Sequence, residues 1–219
     1  MIYLSGQVTV AISDPRGGWM LQPRMQNRVD LGSGRPWAAD TGCYRAKKFD
    51  EERWLAWLAA MAPYASSCLL ATAPDVVEDP VSTWQRSEPL LPVVRALGFP
   101  AALVAQDGIE RSPIEWEAFD VLFLGGSTRW KESDAAWQLT RAAAEHGKPV
   151  HMGRVNSLRR LRKAAAFGCR SVDGTYLAFR LRAHGHRGER EGSEEVAQWL
   201  EIIRREPCLP LTPGVSLAS

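Results

Sequence analysis

Groups able to carry a proton or attack a carbon stand at the ends of short apolar runs throughout this 219-residue sequence. Asp40 ends PWAAD, Asp75 ends CLLATAPD and Gln106 ends AALVAQ. Gly125 and Gly126 end VLFLGG, Arg154 ends PVHMGR, and Asp173 interrupts SVDGTYLAF with Gly174 directly behind it. A carboxylate can serve as nucleophile or as acid and base, and two that flank one bond can divide those roles. An Asp-Gly pair is also ordinary turn chemistry, so Asp173 alone decides nothing. The repetition of polar strand ends along the chain gives it weight, and Gly174 leaves room for close approach.

A second kind of chemistry is signalled by charge. From His146 through Val172 there is no Asp or Glu, while Lys148, Arg154, Arg159, Arg160, Arg162, Lys163 and Arg170 are all present. A one-sign block of this length favours a polyanion over a plain solvated face. Within it, GRVNS places Arg154 at a strand end and Asn156 or Ser157 at the cap of LRRLRKAAAFG. A helix N-terminus beside an Arg is an anion site, and barrels often bind phosphate near their late strands. Asn156, Ser157, Arg159 and Arg160 are therefore expected to face phosphate together with Arg154.

The elements that must position these groups alternate. Seven runs read as strands: QVTVAI, PWAAD, CLLATAPD, AALVAQDG, VLFLGGS, PVHMGRV and SVDGTYLAF. Between them, FDEERWLAWLAAM has a cap at Asp50 and apolar residues at helical spacing, and SDAAWQLTRAAAEHG runs from a Ser133 cap to a Gly147 stop. VSTWQRSEPLLPVVRALG is interrupted by Pro89 and Pro92 and is expected to be bent or split. NSLRRLRKAAAFG and SEEVAQWLEIIRRE complete the helices. Apolar strands alternating with helices predict a parallel sheet covered by helices. With polar groups converging at strand C-termini, the expected fold is a (β/α)8 TIM-type barrel with its site at those ends. Seven strands, and a length below the ~250 residues usual for this fold, predict a compact or incomplete barrel. It is read as a single domain over 1–219, with a core of about 1–205.

Other classes recede. There is no GxGxxG after the first strand and no P-loop. No apolar stretch approaches the ~18 residues of a membrane span, and the N-terminus does not read as a secretory signal. Cys43, Cys68, Cys169 and Cys208 form no CxxC pair, so no metal site is expected, no cofactor is called for, and a reducing cytoplasm is the expected setting. His151 reads as a strand histidine, Asp14, Asp79 and Asp107 as turn residues, and the tryptophans as packing.

The ordered set WAADTGCY, TAPD, VAQDG, FLGGS, HMGRV and SVDGTY resembles the active-site segments of the tRNA-guanine transglycosylase superfamily. It is most similar to the DpdA-type 7-deazaguanine DNA transglycosylases of phages and bacterial DNA-modification clusters. The resemblance implies a glycosyltransferase that exchanges guanine in DNA for a 7-deazaguanine such as preQ0 through a covalent aspartyl-sugar intermediate. It implies Asp173 as nucleophile, Asp40 as acid and base, and Asp75 and Gln106 as readers of the base edge. Gly126, with Gly125, would contact the base through the backbone, and Tyr44 and Met152 would cover its two faces. DNA and the free base are the implied partners. The cysteine-rich zinc subdomain of the tRNA enzymes has no counterpart here, and Arg129 and Lys131 stand where they carry an acidic residue. Two alternatives remain: an N-glycosidase on the same scaffold, and a nucleic-acid-binding barrel without catalysis.

Overall fold

The computed structural model describes residues 1–6, 12–23, 29–43 and 49–206. Eight parallel strands close into one barrel in chain order. They are β1 (Ile2–Gly6), β2 (Gly17–Leu21), β3 (Trp37–Ala39), β4 (Cys68–Thr72), β5 (Ala101–Ala105), β6 (Val121–Leu124), β7 (Val150–Met152) and β8 (Ser171–Gly174). The pairing of β1 with β8, in the register Leu4 opposite Asp173, completes the ring. The expected barrel is thus present, and it is closed with eight strands rather than seven.

Three strand assignments change. The first strand is Ile2–Gly6; of the expected QVTVAI, residues 7–11 lie outside the described residues. The second strand, GGWML, went unread because a glycine pair looks like a turn. Those glycines are there for proximity. A Cβ on Gly18 would stand 1.7 Å from the Pro36 carbonyl oxygen, and one on Gly17 would stand 2.2 Å from Ile12. SVDGTYLAF is a strand only as far as Gly174, and Tyr176 already begins a helix.

The helices follow their caps. α1 (Glu51–Met61) starts where Asp50 accepts from the Arg53 amide. The proline-interrupted segment splits into α2 (Pro80–Ser87) and α3 (Leu91–Ala96). A four-residue α4 (Thr128–Lys131) precedes α5 (Asp134–Glu145), which Ser133 caps as expected. α6 (Leu158–Ala166) joins β7 to β8. α7 (Tyr176–Arg205) bends at His184–Gly185 and packs beside β1 and α6. Among the described residues no helix is long and apolar enough to cross a membrane.

Alternation along each strand sorts side chains into two layers. Leu4, Met20, Ala38, Leu70, Ala102 and Val121, one from each of β1 to β6, form a cluster inside the barrel. Their neighbours Tyr3, Trp19, Trp37, Ala71, Ala101 and Leu122 belong to the larger core between sheet and helices. There Trp37 meets Phe99 edge-on at 5.9 Å, and its indole N–H donates to the Tyr64 carbonyl at 3.0 Å. The interior is a filled core, so the chemistry is confined to its rim.

The close contact at Gly18 gives a test of closure. Gly18→Ala must push Pro36 away and loosen the β2–β3 ladder, so urea unfolding should show a loss of about 2–3 kcal/mol. Gly34→Ala, at φ 70° with nothing within 4 Å of a new Cβ, should cost about 1 kcal/mol through backbone strain alone.

Candidate active site

The inward parity that fills the barrel also places polar groups at its C-terminal rim. Two residues beyond Ala38 comes Asp40; two beyond Leu70, Thr72; four beyond Ala102, Gln106; two beyond Met20, Gln22. On β7 and β8 the inward residues are His151, Ser171 and Asp173, joined to one another by hydrogen bonds. The structure thereby brings Asp40, Asp75, Gln106 and Asp173 to one end of the barrel.

Each carboxylate is held differently. Gln22 Nε2 donates to Asp40 Oδ2 at 2.7 Å, and Thr72 Oγ1 lies 3.4 Å from Asp40 Oδ1. Both partners are neutral. Burial pushes the Asp40 carboxyl up to about 6, with the charges of Asp75 and, more weakly, Asp173 adding to it; the Gly42 amide and Gln22 pull the other way. Asp75 is raised by burial too, while the Arg86 and Arg154 charges counteract the shift. Its Oδ2 accepts from Gln106 Nε2 at 2.8 Å. Gln106 is 1% exposed, and its Oε1 accepts from the Glu78 amide at 3.0 Å. Gln106 therefore spends both ends of its amide within the chain, and its work is to aim Asp75.

Asp173 has a buried histidine behind it. His151 Nε2 lies 3.0 Å from Asp173 Oδ1, and Nδ1 lies 2.8 Å from Ser171 Oγ. The ring is fully buried and packs against Phe123 at 4.6 Å between ring centres. With both nitrogens engaged, His151 orients Asp173 and does not itself reach the mouth. Arg154, at φ 60°, turns its guanidinium back so that Nη2 donates to the Gly125 carbonyl at 2.7 Å and also to that of Gly126. The amides of Gly125 and Gly126 both donate to Ala105. The paired glycines are thus tied into the chain at both their amide and carbonyl groups.

Several expected residues stand elsewhere. Met152 is 2% exposed in the core between sheet and helices, because it has the opposite parity to His151. Tyr44 lies outside the described residues. Asn156 Oδ1 accepts from the Thr175 amide at 2.7 Å, and Ser157 Oγ caps α6 by accepting from the Arg160 amide at 3.3 Å. The basic block is answered by acids from other segments. Arg159 and Arg160 both pair with Glu132, at 2.8 and 3.4 Å, and Arg162 pairs with Glu206 at 2.5 Å. Lys163 lies over the Phe167 ring. A run without acids in sequence is therefore not a free cationic face in space. Gln22 and Thr72 are partners of Asp40 that the sequence did not single out. His151, read as a strand histidine, is buried on β7 with both ring nitrogens bonded; its place behind Asp173 follows from counting parity across the β7–β8 pairing.

No family model matches this chain, and no curated protein matches it. Solved structures do. A single-residue variant of mandelate oxidase with 2-hydroxy-phenylacetamide superposes with a TM-score of 0.60 at 15% identity, over 92% of this chain and 72% of that one. Mandelate oxidase with 3,3-difluoro-2-hydroxy-3-phenylpropionic acid gives 0.59, also at 15% identity, over 92% of this chain and 72% of that one. A variant carrying a C4a-OH-FMN adduct gives 0.55 at 18% identity, over 84% of this chain and 64% of that one. Likeness at this identity is a likeness of fold.

These comparisons overturn the transglycosylase resemblance. Neither a family model nor a curated relative supports it, and the matched barrels are oxidases that hold small molecules. Guanine exchange, glycosyl transfer, and DNA and a 7-deazaguanine as partners fall with it. The N-glycosidase and nucleic-acid-binding alternatives fit no better. The ion-paired arginines supply the physical reason on the DNA side: a phosphate backbone would have to displace Glu132 and Glu206.

The Asp40 environment predicts a pH signature. A folded-state value of about 6 against an ordinary 3.8 means the folded chain holds this proton more tightly than the unfolded one. That contribution is full below about pH 4 and is lost as pH rises through 6. Relative to the native chain, Asp40→Asn should therefore gain on the order of 2–3 kcal/mol of stability between pH 4 and pH 7. Urea unfolding of both proteins at the two pH values measures the difference.

Proposed function

We propose that this barrel is an enzyme that moves protons on a small organic molecule bearing N–H or cationic groups, held at the strand C-termini. Asp40 is the acid and base; Asp75 and Asp173 are the acceptors that hold the molecule. The observation that carries this reading is the Asp40 carboxyl, desolvated and facing two further carboxylates, so that both its forms exist near neutral pH. Ionised carboxylates only accept hydrogen bonds, so a donor-rich or cationic ligand satisfies them and relieves their repulsion. Gln22 and Thr72 fix Asp40, Gln106 fixes Asp75, and His151 fixes Asp173, so that the acceptors are in place before a ligand arrives.

The flavin mononucleotide named with one matched oxidase finds no fitting cradle among the described residues. Its phosphate would need donors near the late strands. There Ser157 and Asn156 accept from the chain's own amides, Arg159 and Arg160 face Glu132, and Arg154 is turned onto the Gly125 and Gly126 carbonyls. The residues do not fit the group, and no step is routed through it.

A binding panel separates these readings: guanidinium and amidinium compounds, primary amides, α-hydroxy acids and FMN. Thermal shifts should identify a ligand among the cations and amides, and its affinity should fall at least tenfold in both Asp75→Asn and Asp173→Asn. Turnover of that ligand or a relative should show a pH inflection near 6 and drop by roughly 10²–10⁴-fold in Asp40→Asn. Quenching of flavin fluorescence at micromolar protein, with reduction of the flavin by an α-hydroxy acid, would replace this reading with an oxidase.

A further inference from the structure

One buried cation near the mouth has no part in that scheme. Lys131, the last residue of α4, is 3% exposed, and its Nζ donates to the Gly153 carbonyl at 2.5 Å. Its own position is anchored from two sides. Ser127, which caps α4, is held by Asp107 through both its amide and its hydroxyl, and the neighbouring Trp130 indole N–H donates to Glu110 at 3.1 Å. On the far side of the bond, Gly153 begins the turn that leaves β7. The next amide, of Arg154, points at Asp173 Oδ2 from 3.5 Å, and the Val155 amide donates to the Asp173 carbonyl at 2.7 Å. A Cβ on Gly153 would lie 3.2 Å from Asp173 Oδ1, so this turn stands directly against the carboxylate.

We infer that Lys131 is a positioning residue of the site: through the Gly153 carbonyl it ties the loop after β6 to the turn after β7, and so holds that turn against Asp173. This rests on the reading of Asp173 as an acceptor in the proposed site. A buried ammonium is a costly way to brace a loop, since a neutral donor would do the same without the desolvation. What the ammonium adds is charge that depends on pH. Burial, with the Arg154 and Arg160 charges, pulls Lys131 down to about 7; Asp173 and Glu132 resist the shift. These four groups come from the turn after β7, from α6, from β8 and from the end of α4. Loss of the proton removes a positive charge that faces Asp173 and weakens the hold on Gly153 from a charge-assisted bond to a neutral one.

The test needs no substrate. In the isotope-labelled full chain, the Gly153 carbonyl carbon and the Arg154 amide nitrogen are followed by NMR from pH 5.5 to 9. Both should show one titration step centred near 7 that is missing in Lys131→Arg, whose charge does not titrate in this range. In Lys131→Met the step should also be missing, and the Val155 amide should exchange about tenfold faster, while Lys131→Arg keeps the native rate. A step that survives in Lys131→Arg belongs to another group and overturns the inference. So does a native chain with no step, or a folded Lys131→Met protein with native exchange at Val155. If Lys131→Met fails to fold, the native titration and Lys131→Arg decide the matter. Failure of the acid–base reading would appear in the ligand panel and in Asp40→Asn, and would leave this result unchanged.

Discussion

A closed ring of eight parallel strands leaves each side chain only two places to go, and everything else about this molecule follows from that. Alternate residues fill the interior or meet the helices, and the β1–β8 register, Leu4 against Asp173, sets which is which for the whole ring. A slip of one residue at that seam would send Asp173 into the helix layer and bring Val172 into the barrel. Closure therefore does more than remove the sheet edges. It fixes the parity that sends Asp40, Thr72, Gln106, His151 and Asp173 toward one axis, and the filled interior beneath confines the polar chemistry to the rim.

Holding three carboxylates together in a partly dry mouth has a cost, and the structure meets it unevenly. Asp173 has a histidine behind it, and Asp75 feels two arginines and is gripped by a buried amide. Among the described residues, Asp40 is held by Gln22, Thr72 and a backbone amide, all neutral. Desolvation and like charge act on it there, and its affinity for a proton rises. Between Asp40 and Asp75 the difference is one of neighbours: burial raises both, and the Arg86 and Arg154 charges counteract it at Asp75.

Much of the frame was legible from residue patterns. Caps at Asp50 and Ser133, the prolines at 89 and 92, and the strand ends at Asp40 and Gln106 mark real boundaries, because capping and periodicity act within a few residues; Asp75 lies three residues past β4 and Asp173 inside β8. The failures are all non-local. Gly17 and Gly18 form a strand because Ile12 and Pro36 leave no room for side chains there. Met152 turns to the helix layer and away from the mouth because parity is set across the sheet. The basic block is quenched by Glu132, which precedes it, and Glu206, which lies far beyond it. The family resemblance failed for a related reason. Polar strand ends in chain order are what any barrel with a rim site presents, so six such segments in sequence reflect the architecture as much as a shared chemistry.

The rim also carries a direction. Asp40 and Asp75 follow β3 and β4, while Lys131 and Arg154 follow β6 and β7, across the barrel from them. Asp173 stands on β8 beside the basic side and feels both: it is among the charges acting on Asp40 and among those acting on Lys131. Because strand order in a closed barrel is fixed, these described groups keep to separate arcs of the rim. In the proposed reading, the donor-rich end of a ligand turns to the carboxylates after β3 and β4. Asp40, the acid that the proposal makes the proton carrier, is one of that pair, so the group that would hold a donor and the group that would take its proton stand on neighbouring strands of one ring.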